Sequence, residues 1–70
     1  MSEEEIKILE KAVSKARFTL SQKASALHDL IEDRLPVDYS DIPSYADATF
    51  QACKVWDDLN KQLQVAKQNQ

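Results

Sequence analysis

Not one of the 70 residues is glycine, and the only two prolines, Pro36 and Pro43, stand close together in mid-chain. Residues that end helices or build tight turns are therefore almost confined to one place. A chain punctuated once folds into few, long elements, and the spacing of its apolar residues makes them helices. It is short enough to form one domain, residues 1–70, and a domain of that size is marginal as a lone monomer. Self-association is expected before any motif is read.

The first helix is announced by Ser2-Glu3-Glu4-Glu5, a capping box whose acids also suit the positive end of the helix dipole. Ile6, Leu9, Val13, Ala16, Leu20, Leu27 and Leu30 then follow in alternating steps of three and four, with Lys23 the one polar member. That is a heptad seam. Pro36 pushes Leu35 out of helical geometry, so the spacing predicts a first helix over about residues 2–34 and a linker over about 35–39. The second seam runs Ile42, Tyr45, Thr49, Ala52, Trp56, Leu59, Leu63 and Ala66, which predicts a helix over about residues 40–67. Ser40 is the expected cap, with Asp38 and Ser44 as competitors.

Two helices this long joined by so short a linker lie antiparallel, so the expected fold class is all-α, an antiparallel two-helix hairpin. Near the turn the seams are flanked by further apolar residues: Ala24, Ala26 and Ile31 on the first helix, and Ala46, Ala48, Cys53 and Val55 on the second. Toward the free ends the flanks become polar, with Glu10, Arg17, Asn60, Gln62 and Lys67. A wide apolar face needs a second partner. The expectation is a homodimer in which two hairpins form a four-helix bundle over their turn-proximal halves.

Several functions are disfavoured. No run approaches the eighteen or so apolar residues of a membrane span, and "MSEEE" does not open a signal peptide, so no membrane is expected. One cysteine, Cys53, suits a reducing cytoplasm and reads as a small interior residue. The net charge is −3, which argues against nucleic acid. No glycine-rich phosphate loop exists, no Ser–His–Asp or Cys–His spacing is present, and a two-helix hairpin has no deep pocket. An enzyme is not expected.

Charge distribution singles out one stretch. Residues 26–47 hold Asp29, Glu32, Asp33, Asp38, Asp41 and Asp47 against Arg34 alone, and the same stretch contains the only histidine, His28. His28 and Glu32 are four apart on one side of a helix, a spacing that offers a metal two ligands. A structural zinc wants four, and Cys53 lies some 9 Å too far along the axis, at ~1.5 Å per residue. A two-fold dimer brings a residue near its axis against its own copy. Two His28 side chains at such an axis, with Glu32, Asp29 or water completing the shell, would make a site for nickel, zinc or copper. The plainer alternative is a surface histidine paired with a neighbouring acid.

"KASALHDLIEDRLPVDYSDIP", followed by "YADATFQACKVWDDLNKQL", resembles the small helical-hairpin proteins encoded in bacterial and cyanobacterial nitrogen-fixation gene clusters. These are called Rop-like because their hairpins dimerise much as the plasmid regulator Rop does. The resemblance covers roughly residues 16–63 and is most specific in Leu27-His28-Asp29-Leu30 and Leu35-Pro36-Val37-Asp38-Tyr39. Where the family often has a glycine before the "LP", this chain has Asp33-Arg34. The resemblance implies a homodimer that binds metal through His28. It also implies a nitrogen-fixation accessory role in nitrogenase cofactor assembly or metal handling, with nitrogenase or cofactor-assembly proteins as partners. The alternative is a metal-free interaction module that docks its acidic turn end, Asp38 and Asp41 included, on such a partner. RNA binding by analogy with Rop conflicts with the acidic balance.

Overall fold

The computed structural model describes residues 2–68. Helix α1 spans Glu3–Asp33, a 3-10 turn follows at Tyr39–Asp41, and helix α2 spans Ile42–Gln68. The helices pack against each other as a hairpin 52 Å long and 14 by 12 Å in section. Among the described residues there is no strand, and no helix is long and apolar enough to cross a membrane.

The start of α1 is built as its sequence dictates. The Glu5 amide, one of the helix's otherwise unpartnered donors, donates to Ser2 Oγ at 3.2 Å, and the Ile6 amide begins the helical ladder on the Ser2 carbonyl at 3.1 Å. At the other end, the Arg34 amide closes the helix on the Leu30 carbonyl at 3.1 Å. The linker is itself hydrogen-bonded, Asp38 to Arg34 at 2.9 Å and Asp41 to Asp38 at 3.0 Å along the backbone.

The entry to α2 differs from expectation. Ser40, the expected cap, lies within the 3-10 turn, Asp38 precedes that turn without a side-chain capping bond, and Ser44 Oγ donates backward to the Asp41 carbonyl at 3.0 Å. The reason lies in Arg34, whose Nε donates to Asp38 Oδ2 at 2.8 Å and so takes the carboxylate that would have capped.

Packing is uneven along the hairpin. Ile6, Leu63 and Ala66 are buried together at the open end, with Leu9 and Val13 against them. Through the middle, seam residues Leu20, Leu27, Thr49, Ala52, Trp56 and Leu59 are only half-buried. Leu30 is the one fully buried large side chain near the turn. The open end covers itself, while the middle leaves its seam uncovered.

The exposed area measures that incompleteness. The chain presents 5277 Å² for a mass of 8.0 kDa. A compact monomer of that mass presents about 4,450 Å². The surplus of roughly 800 Å² reflects the elongated outline of the hairpin together with its half-covered seam.

Candidate functional site

The two flanks of the hairpin are chemically different. On one, α1 and α2 bound an apolar groove of about 530 Å³ lined by Ala12, Ala16 and Thr19 from α1 and Ala52, Val55 and Leu59 from α2. A second hollow, lined by Ala26, Ser44, Tyr45 and Ala48, continues this groove toward the turn. Small side chains here leave room for another helix to come close. Lys15 and Lys23 are the charged residues along the groove.

The opposite flank is closed in the middle and open at the turn. Arg17 lies with its guanidinium carbon 5.3 Å from the Trp56 ring centroid and so roofs the seam. Nearer the turn, Ile31 is 49% exposed, Phe50 is 63% exposed and Cys53 is also exposed. Cys53 is therefore a surface residue and not the interior one its small size suggested. One residue is about 100° of rotation on a helix. Ala24 and Ala26 thus stand on different flanks, and the apolar residues beside the seam divide between two faces.

His28 belongs to the second flank. It lies about 200° around α1 from groove-lining Ala26, on the side of the helix that carries Ile31. Its Nε2 stands 3.6 Å from Glu32 Oε2 and its Nδ1 stands 3.8 Å from Asp29 Oδ1. All three side chains are well exposed. Both distances exceed a hydrogen bond, so these are contacts of charge and proximity. The i, i+4 spacing sets one nitrogen and one carboxylate beside each other, the two-point arrangement a divalent metal accepts. Asp29, 3.8 Å from the other ring nitrogen, adds negative charge beside the imidazole without a hydrogen bond to fix its tautomer. Among the described residues no three histidine, cysteine or acidic side chains come together as a metal group. One hairpin thus offers a metal two neighbouring donor groups at most. Pairing through the groove keeps two His28 rings apart on outer faces; pairing through the turn-end flank brings them toward each other.

The acids of the turn are largely spoken for. Arg34 reaches Asp38 at 2.8 Å and Asp41 at 3.4 Å, donates to the Tyr45 hydroxyl at 3.1 Å, and lies 5.9 Å from that ring's centroid. The Asp38 hydrogen bond, with help from Tyr45, holds the guanidinium pKa above its usual value. This clamp was missed by sequence reasoning. The Arg34–Asp38 spacing is a signal for it, yet Pro36 between them argues against a helical i, i+4 pair. The acids left over are Asp29 and Glu32, which meet only His28, and Asp33 and Asp47, which make no ion pair among the described residues.

A family model described as Rop-like matches residues 4–68 of the chain. No curated protein and no solved structure matches the chain.

Proposed function

The chain belongs to the Rop-like family, and from that premise we propose that it works by binding, as a homodimer, in support of nitrogen fixation. The uncovered groove carries this reading: an apolar channel beside a half-buried seam is what one half of a bundle presents. The second hairpin lays its own groove face against the first, and the four seams complete one core. The nitrogen-fixation context rests on the resemblance of the His28 and Pro36 segments.

In this reading each protomer carries one metal corner on its outer face. His28 Nε2 and Glu32 hold a divalent transition ion, nickel, zinc or copper in vitro, and Asp29 adds negative charge beside the ring. A two-point, solvent-exposed site exchanges its ion readily, which suits metal handling for nitrogenase cofactor assembly better than storage. Metal titration of wild type and His28→Ala, followed by amide shifts, tests it. Shifts centred on residues 28–32 in wild type and absent from the variant are expected; equal responses in both would end the reading.

The alternative, an acidic turn end docking a partner without metal, is narrowed by the Arg34 clamp. Asp38 and Asp41 share the single charge of Arg34, so such a surface is carried mainly by Asp29, Glu32, Asp33 and Asp47.

A further inference from the structure

Arg34 stands outside the groove, yet we infer that it sets how tightly two copies pair, because it holds the Tyr45 ring in the wall that the second copy meets. The inference rests on pairing through the groove. The groove and the hollow beyond it share Lys23 and Ala48, so one face runs unbroken from Leu59 to Ser44. At its turn end that face is lined by Lys23, Ala26, Ser44, Tyr45 and Ala48, and Tyr45 is the one ring among them. Interfaces of two copies pack as densely as protein interiors, so a displaced ring leaves a void or a clash there.

The ring is held from the turn. Tyr45 is half-buried, and its hydroxyl accepts from Arg34 Nη1 at 3.1 Å. The guanidinium carbon lies 5.9 Å from the ring centroid, so one group engages both the hydroxyl and the ring. The other two guanidinium nitrogens are occupied: Nε donates to Asp38 at 2.8 Å and Nη2 to Asp41 at 3.4 Å. Each nitrogen has its own partner, and the two turn carboxylates aim the fork at Tyr45. A lysine, with one compact ammonium, cannot reproduce that fork. Thr49 Oγ1 donates to the Tyr45 carbonyl at 2.9 Å, which ties down the backbone and leaves the ring to Arg34. The turn and the pairing face are thus linked through one side chain. Such linkage is reciprocal: an ordered turn favours pairing, and pairing steadies the turn.

Sedimentation velocity over a concentration series gives the dimer dissociation constant of wild type, Arg34→Gln, Arg34→Lys, Tyr45→Phe and the Arg34→Gln/Tyr45→Phe double variant, with helix content followed by circular dichroism. Arg34→Gln and Arg34→Lys should each weaken the dimer about fivefold or more, since every dimer contains two clamps. In the Tyr45→Phe background the Arg34→Gln change should cost less than about twofold. A turn that merely holds the fold together would cost the same in both backgrounds. Reciprocity supplies a second readout: amides of residues 34–41 should exchange more slowly in the wild-type dimer than in Val55→Glu, although position 55 lies well away from the turn. Equal dissociation constants for wild type and Arg34→Gln, equal losses in the two backgrounds, or loss of helix content in Arg34→Gln where wild type is folded would overturn the inference. A Val55→Glu protein that stays dimeric would instead overturn the groove pairing, and this inference with it.

Discussion

Replacing Val55 with Glu should take the dimer apart while leaving the hairpin's own core untouched. Val55 lines the groove and is 52% exposed within the hairpin, so about half of its side chain awaits cover. Fully burying a valine is worth about 1.5–3 kcal/mol, so each copy should forfeit about 0.8–1.5 kcal/mol, and symmetry doubles the loss. Losing ~1.5–3 kcal/mol weakens a dissociation constant by about 10- to 100-fold. The new carboxylates add to this. Keeping a glutamate neutral at pH 7 costs up to ~3.7 kcal/mol, from an ordinary pKa near 4.3 and 1.36 kcal/mol per pH unit. Sedimentation velocity over a micromolar concentration series reads the outcome directly. Wild type should sediment at twice the 8.0 kDa chain mass and the variant should shift toward the single chain. Ile31→Glu, on the opposite flank with similar exposure, is the matched control and should remain dimeric. An unchanged dimer in Val55→Glu, or a monomer only in Ile31→Glu, would refute the assignment of the groove.

Other consequences are independent of that assignment. Leu30→Ala truncates the one fully buried large side chain among the described residues and should cost about 2–5 kcal/mol, seen as a lower unfolding midpoint by circular dichroism at fixed protein concentration. Ser2→Ala removes the acceptor of the Glu5 amide and should cost about 0.5–2 kcal/mol, with amide exchange quickened in the first turn and unchanged near the bend. Arg34→Gln releases Asp38, Asp41 and Tyr45 together, so exchange should rise across residues 34–41 while the Ile6–Leu63–Ala66 end keeps its protection. Glu32→Gln should weaken metal binding yet keep the response centred on His28, because one of two ligands survives.

The hairpin could be read from the chain because its two seams are written in uninterrupted three-four spacing, and because Ser2 and Glu5 mark the first helix start. Spacing fixes which residues face the neighbouring helix. It is silent on which side of that seam will be left open. Ala24, Ala26 and Ile31 look alike as flanking apolar residues, yet Ala26 lines the hollow that continues the groove and Ile31 lies across the seam from it. Only the register of α1 against α2, with Arg17 folded over Trp56, shows that one flank is roofed and the other hollow. The turn was legible as a place and not as a structure. Arg34 draws its partners from positions 38, 41 and 45, which come together only after the chain has reversed. The His28–Glu32 pair was legible for the opposite reason, since helical spacing alone brings the two side chains near.

The most direct measurement concerns where the two copies place position 28. A spin label at His28→Cys, in a Cys53→Ser background, gives the distance between copies by pulsed electron resonance. Groove-to-groove pairing puts the labels on outer faces, separated by two helix diameters or more, ~20–24 Å and beyond. A sharp distance within one helix diameter, ~10–12 Å, would place the imidazoles together at the two-fold axis and contradict the pairing.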